Sequence, residues 1–278
     1  MNKIKYNPIN KDGITTPTAK YLPREIFEKC FIKGSTTRVD KTITGNGFSH
    51  SFLTTTPKEG TISILVAPNR EVVFSKEKSY HSDKLTFQDK TQFFCSGSGD
   101  DVLDKNTKII VTTTDSLFGL ALRDGLEYAD IDRILIDEAH STIQQSLFRS
   151  ELKGFLGRVE KRFGGKDVSI TTVTATPILF SKVDITLIPT QYEREYHIAV
   201  DNDYPKVIQE IKDYRVQGEK IIVFTNSSTV ISNFIEKDRL GKPFLNARLM
   251  VGNTLLDKQV AQANVTCDDD FIIGSSTS

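Results

Sequence analysis

The 278-residue sequence has no tryptophan, two methionines and only three cysteines. Cys30, Cys95 and Cys267 lie far apart, with no CxxC pair and no metal-ligand spacing. A disulfide framework is therefore not expected, and a reducing compartment fits. An excess of charge of one sign is also missing, since 36 Lys+Arg stand against 36 Asp+Glu. A sequence-independent nucleic-acid coat usually carries a basic surplus, although a local groove can be basic on a neutral chain. Long apolar runs are lacking: stretches such as 62–67 and 134–136 are too short to span a bilayer. Met1-Asn2-Lys3-Ile4-Lys5 is followed by no apolar core of the signal-peptide kind. These absences predict a cytoplasmic protein with no membrane partner.

What is present is a 38% hydrophobic chain with 26% charged residues, enough for one large or two modest globular domains. Short apolar, β-branched runs recur at 61–66, 108–113, 133–137, 168–174, 197–200, 220–225, 247–251 and 271–274. Most are continuously apolar instead of alternating, as in strands buried on both faces of a parallel sheet. Helical stripes fit between them. Ile143, Leu147, Leu152, Phe155, Leu156, Val159 and Phe163 read as one helix stopped by Gly164-Gly165. Val207, Ile208, Ile211 and Tyr214 form a second stripe, and Val230, Ile231, Phe234 and Ile235 a third. The polar segment 75–107 reads as a helix and a flexible connection, and a change of domain is expected within 187–195. Strand–helix alternation of this kind predicts an open α/β sheet with its ligand at the carboxyl ends of the strands.

The sharpest local feature is the apolar run Arg133-Ile134-Leu135-Ile136 leading into Asp137-Glu138-Ala139-His140. A strand tip carrying two adjacent carboxylates suits nucleotide hydrolysis. The first acid can hold Mg²⁺ against the phosphates, and the second can deprotonate a water. A plain strand end followed by an acidic helix cap gives the same four residues. Upstream, Asp40-Lys41-Thr42-Ile43-Thr44-Gly45-Asn46-Gly47-Phe48-Ser49-His50 has the shape of a phosphate-binding loop. Its glycines let backbone N–H groups turn toward an anion, and Ser49 can offer a hydroxyl to Mg²⁺. The usual lysine of such loops is missing, because Phe48 stands there. Lys41 is the nearest replacement charge. A simple Gly-Asn-Gly turn remains the competing reading.

The order of these segments resembles the core of superfamily 2 helicases and translocases of the DEAD/DEAH-box type. On that resemblance, 44–49 is the phosphate loop. Pro68 and Arg70, within 66–71, belong to motif Ia. Thr113 and Thr114, within 111–117, belong to motif Ib, and Asp137–His140 is the DEAH form of motif II. Thr174, Ala175 and Thr176 lie in motif III, Thr225 and Asn226 in motif IV, and 271–278 opens motif V. The loop is also similar to the lysine-free DKT-x-TGxGxT loop of phage-encoded helicase-like proteins.

The resemblance implies two RecA-like α/β domains, at 36–192 and 193–278, after an N-terminal extension at 1–35. The second would be truncated, with motif VI beyond Ser278. It implies ATP and Mg²⁺ as cofactors, bound in the cleft between the domains, with Lys41 and the residues from Thr44 to His50 around the nucleotide. Ser49 and Asp137 would hold the metal and Glu138 would be the base. His140 would couple the site to Thr174, Ala175 and Thr176. DNA or RNA would contact Pro68, Arg70, Thr113, Thr114, Thr225 and Asn226, and replication, transcription or virion proteins are conceivable partners. Several of these residues have plainer readings: His140 as a helix cap, Thr174 and Thr176 as strand-end threonines, Arg70 in a helix-start ion pair. His50 reads as helix surface. The basic residues Lys153, Arg158, Lys161, Arg162 and Lys166 read as a solvated helix face or a nucleic-acid track. No glutamine motif for adenine is evident, and 21–27 lies nearest. The activity implied is nucleic-acid-dependent ATP hydrolysis. Phe48 supports an alternative: a weak or inactive helicase-like nucleic-acid-binding or phage assembly component, in the host cytoplasm or a virion.

Overall fold

The computed structural model describes residues 2–6, 12–17, 22–82, 90–96, 102–123, 131–147, 149–165, 167–189, 194–198, 204–216, 221–225, 248–250 and 271–275. The chain divides into two compact units, one of Lys5–Tyr196 and one of Met1–Ile4 with His197–Ser278.

The larger unit is built on eight parallel strands. They are β2 (Ile14–Thr16), β3 (Thr36–Asp40), β4 (Ile62–Ala67), β5 (Thr91–Phe94), β6 (Ile109–Thr113), β7 (Ile131–Asp137), β8 (Ser169–Thr174) and β9 (Ile185–Pro189). Their order across the sheet is β2-β9-β3-β8-β7-β4-β6-β5. Successive side chains of a strand point to opposite faces, and both faces are covered here. On one, Leu65, Leu135 and Val39 pack against Phe27 of α1 (Arg24–Lys29), Phe48 and Phe52 of α2 (Phe48–Thr54), and Val73 of α3 (Arg70–Ser82). On the other, Ile64, Val66, Ile134 and Ile136 meet Leu117 of α4 (Thr114–Arg123), Ala139 of α5 (Ala139–Gln145), and Phe155, Val159 and Phe163 of α6 (Phe155–Phe163). This is a RecA-like parallel sheet flanked by helices.

In the smaller unit α7 (Tyr204–Val216) precedes three parallel strands, β11 (Ile221–Thr225), β12 (Arg248–Met250) and β13 (Phe271–Ser275), ordered β11-β13-β12. β1 (Asn2–Tyr6) and β10 (Arg194–Ile198) form a separate two-stranded pair.

Three local expectations change. The stripe running from Ile143 to Phe163 is not one helix. α5 ends at Gln145, a 3-10 turn covers Ser150–Leu152, and Gly154 takes a left-handed φ of 69° before α6 restarts. The segment 75–107 is not only helix and connection, because it also contributes β5. β2, β3 and β9 are strands that apolar runs did not announce. The third stripe, 230–235, lies outside the described residues.

Candidate functional site

β3 and β7 run in the same direction on either side of β8, so Asp40 and Asp137 leave the sheet at the same edge. The loop after β3 is braced at its start. Lys41 N donates to Thr174 O at 2.8 Å, Thr42 N to Asp40 Oδ1 at 2.8 Å, and Thr42 Oγ1 to Leu187 O at 2.7 Å. Thr42 has a φ of 55°, a left-handed conformation that is strained for a β-branched residue. Gly45 and Gly47 carry the turn with φ of 74° and 80°, where a glycine is at no disadvantage. Asn46 Oδ1 accepts from Phe48 N at 3.2 Å and so fixes the entry to α2.

Phe48 points away from this loop. It is 2% exposed, with its ring centroid 5.4 Å from that of Phe27 and 6.3 Å from that of Phe31. Phe52 completes the cluster, 6.4 Å from Phe27. The aromatic ring ties the loop's helix to α1.

Lys41, 5% exposed, reaches the acids instead. Its Nζ lies 3.2 Å from Asp137 Oδ1 and 2.6 Å from Glu138 Oε1. Ser49 Oγ donates to the other oxygen of Asp137 in a short hydrogen bond. Glu138 follows the strand with a φ of 47°, which folds its side chain back toward Lys41 and His140. His140 Nδ1 is 3.3 Å from Glu138 Oε2 and 2.6 Å from Thr174 Oγ1. Thr176 N donates to the same threonine hydroxyl at 2.9 Å.

The electrostatics follow from this geometry. Burial opposes the charge on Lys41, but Asp137 and Glu138 outweigh it and raise the ammonium above the ordinary lysine value. Burial likewise opposes ionisation of Asp137, yet Lys41, Lys76 and the Ser49 hydrogen bond hold its carboxyl below the usual range. For Glu138 burial is overcome by the His140 hydrogen bond and by Lys41, again to a lowered value. Lys76 on α3 went unnoticed in the sequence and belongs to the same electrostatic cluster.

The glycine turn, Lys41, Ser49 and both acids therefore meet at one sheet edge, with His140 and Thr174 beside them. Other residues singled out from sequence stand apart from this contact. Arg70 Nε pairs with Glu71 at 3.1 Å. Thr113 is 5% exposed, and its hydroxyl accepts from Ser116 N at 3.3 Å at the start of α4. Thr114 is 3% exposed. Arg158, Lys161 and Arg162 lie on the exposed side of α6. His50 is half-buried within α2, and its carbonyl accepts from Thr54 Oγ1 at 3.0 Å. Thr225 ends β11, while Asn226 and Lys166 lie outside the described residues. Among the described residues no group of three or more His, Cys, Asp or Glu converges on a metal position. Ser49 and Asp137, joined by their hydrogen bond, offer adjacent oxygen donors at the site, beside the carboxylate of Glu138. No described helix is long and apolar enough to cross a membrane.

A parallel α/β sheet with a glycine loop and paired acids at its carboxyl edge places the chain among RecA-like proteins. The profile of the DEAD/DEAH box helicase family matches residues 41–184, just over half of the sequence, and the chain belongs to that family. Solved helicase structures share the fold. Dbp5 of Saccharomyces cerevisiae, in complex with Gle1 and IP6, superimposes with a TM-score of 0.59 at 14% identity, over 92% of this chain and 70% of that one. For the helicase Lhr of Mycobacterium smegmatis, bound to single-stranded DNA and AMP-PNP, the values are 0.52, 16%, 88% and 38%. For MrfA bound to DNA they are 0.60, 15%, 99% and 47%. The chain thus spans less than half of the Lhr and MrfA chains. No curated protein sequence matches it.

Proposed function

We propose that the protein is a nucleic-acid-dependent ATPase of superfamily 2, a helicase or translocase, working with a phosphate loop whose lysine has moved from position 48 to position 41. The observation that carries this reading is the contact of the Lys41 ammonium with both Asp137 and Glu138 while Ser49 holds the remaining oxygen of Asp137. A buried cation is thereby kept beside two acids, at the edge where the glycine loop turns into α2.

An incoming triphosphate competes with the acids for Lys41. The amides from Gly45 to Ser49 would cradle its phosphates, as preorganised donors for the charge that develops on the transferred group. Lys41 then moves from carboxylate to phosphate. Glu138 loses a counter-ion in that exchange, so its affinity for a proton rises when a base is needed. It orients a water against the γ-phosphorus and accepts its proton as the bond from that phosphorus to the β–γ bridging oxygen breaks. His140 holds Glu138 and passes the change in its position to Thr174, Ala175 and Thr176.

The hard oxygen pair of Ser49 and Asp137, with a cation already drawn to the carboxylate, fits Mg²⁺, which keeps several waters and takes one or two protein ligands. Bound there it would neutralise phosphate charge. Nucleic acid, DNA or RNA, would run over the same edge of the sheet, with Pro68, Arg70, Thr113 and Thr114 as the contacts to test in the larger unit, and Thr225 and Asn226 as those to test in the smaller one. The DEAD/DEAH family membership and the nucleotide- and nucleic-acid-bound states of the similar helicases support this reading. The resemblance of the loop to lysine-free phage loops points to a phage-encoded source.

The test is ATP hydrolysis by the full chain with and without single-stranded nucleic acid. Glu138→Gln should lower turnover by about 10²–10⁴-fold and leave nucleotide affinity intact. Lys41→Ala should abolish nucleotide affinity; unchanged affinity there would refute the relocated lysine. No hydrolysis by the parent chain would favour the inactive, nucleic-acid-binding alternative that Phe48 suggests.

A further inference from the structure

Lys76 has no part in the hydrolysis just described, yet it belongs to the same charge cluster. α3 begins at Arg70, just after β4 ends at Ala67. β4 lies beside β7 with Val66 opposite Ile136, so the helix starts next to the strand tip that bears Asp137. Val73 is completely buried in the core face that contains Phe48 and Phe52, and Val72 packs against the same face. Lys76 follows these two by three and four positions, which puts it on the core-facing side of the helix. It is half-buried there.

The charges acting on Lys76 are those of Asp137, Lys41 and Glu138. In return, Lys76 helps to keep Asp137 ionised. Lys41 is in ion-pair contact with both acids, whereas none of the ion pairs among the described residues includes Lys76. Burial, reinforced by Lys41, lowers the Lys76 ammonium below the ordinary lysine value in spite of the two acids. Packing alone gives no reason for a half-buried lysine without a partner, since a norleucine-shaped apolar side chain would fill the same space without desolvation cost.

Charge balance supplies a reason. Lys41 with Asp137 and Glu138 sums to minus one, which repels a triphosphate. Lys76 brings the cluster to zero, and its ammonium is the one not already engaged by a carboxylate. We propose that Lys76 is a second phosphate-binding cation of the nucleotide site, contacting the β–γ end of a nucleoside triphosphate together with Lys41. The pair then supplies from the start of the loop and from α3 the charge that Phe48 does not. This role rests on the nucleotide site proposed above.

The test compares the full chain with Lys76→Met and Lys76→Arg, using fluorescent mant-ATP and mant-ADP titrations and melting temperatures. Loss of one charge-assisted phosphate contact should weaken mant-ATP binding by about ten- to a hundredfold in Lys76→Met. The loss for mant-ADP should be smaller, Lys76→Arg should regain most of the ATP affinity, and the melting temperature should not fall. Unchanged mant-ATP affinity in Lys76→Met, while the parent binds, would overturn the role of Lys76 and leave the nucleotide site standing. Equal weakening of both nucleotides with a lowered melting temperature would overturn it too, as the mark of a structural lysine. A parent chain that binds neither nucleotide would remove the site and Lys76 together.

Discussion

Strand β7 has a charged cluster at each end, and the two are built differently. At its start Asp132 is 3.1 Å from Arg133 and 3.0 Å from Lys58, and Arg133 continues to Glu28 of α1 at 3.4 Å. The Arg133 guanidinium also lies over the Phe31 ring, 5.4 Å from its centroid. Every charge there has a partner, and the one break in the ladder is a bulge at Asp132, between the pairs Ile62–Ile131 and Ser63–Arg133. At the other end two acids share Lys41, Lys76 stands unpaired among the described residues, and Glu138 and Thr42 have φ of 47° and 55°. Such conformations cost on the order of 1–3 kcal/mol each and persist where the surroundings enforce them. The closed cluster fixes α1 to the sheet. The open one keeps strained backbone and a cation that no described carboxylate pairs with, the features on which the proposed nucleotide site rests.

The largest effect is expected from restoring the usual lysine. Phe48→Lys would place an ammonium among Phe27, Phe31 and Phe52, and should destabilise the protein on the order of 4 kcal/mol in chemical denaturation. A variant that keeps the parent's stability and hydrolyses ATP faster would show that the loop can re-form around residue 48. The contrast between the two ends of β7 would then lose its basis. Next come the two clusters themselves. Arg133→Met leaves Glu28 without its β7 partner and Asp132 with Lys58 alone, at a cost of about 3 kcal/mol, with nucleotide affinity of the folded protein unchanged. Lys41→Met leaves two acids facing Lys76, at a cost of about 2 kcal/mol, and removes nucleotide binding. Equal loss of binding in both variants would show that the ends are not separable.

Titration divides the clusters further. The carboxyls of Asp132, Asp137 and Glu138 are all held below their ordinary values: burial works against ionisation in each, and the neighbouring cations and hydrogen bonds outweigh it. Their contribution to stability is therefore complete above an ordinary carboxylate value of about 4 and is lost as pH falls through the lowered values. Both ends share this acid arm. Lys41 is raised, so its contribution is complete below the ordinary lysine value of about 10.4 and is lost as pH climbs through the higher one. Unfolding measured from pH 9 to about 12 should show an alkaline loss that Lys41→Met abolishes and Arg133→Met retains.

How much of this was legible in the sequence depended on how each element hides from water. β4, β6, β7 and β8 lie between two helical layers, and their unbroken apolar or β-branched runs mark them. β3 gives no such run. Thr36-Thr37-Arg38-Val39-Asp40 is buried through hydrogen bonds and ion pairs, with Arg38 against Asp184 and Asp40 bonded to Thr42 N, and only Val39 enters the core. The short outer strands β2 and β5 lack a run for a different reason, being only three and four residues long. Asp137 and Glu138 stood out because a strand tip with two acids is rare chemistry. Lys41 was visible only as the nearest charge to a loop that lacked one. Lys76 left no local signal, since it sits in a helix with Lys78 and Arg70, and only the folding of α3 against β4 brings it to the acids. The expected single helix from 143 onward failed because Gly154 and the 3-10 turn before it interrupt a stripe that residue spacing alone makes continuous.

The smallest effect concerns a charge outside both clusters. Arg70 is 44% exposed and pairs with its neighbour Glu71, which is 65% exposed, so water screens the contact. Arg70→Ala should change stability by less than about 0.5 kcal/mol. If the side chain instead serves as a phosphate contact at the sheet edge, the same variant should weaken binding of single-stranded nucleic acid about uniformly across sequences. The salt dependence of that binding would fall by roughly one contact's worth. Titrations of the parent and Arg70→Ala at several salt concentrations read both quantities. An unchanged salt slope would return Arg70 to the plain helix-start ion pair seen here. A reduced slope with unchanged stability would make it the third kind of charge on this fold, one kept at the surface for a partner rather than for the sheet or the nucleotide.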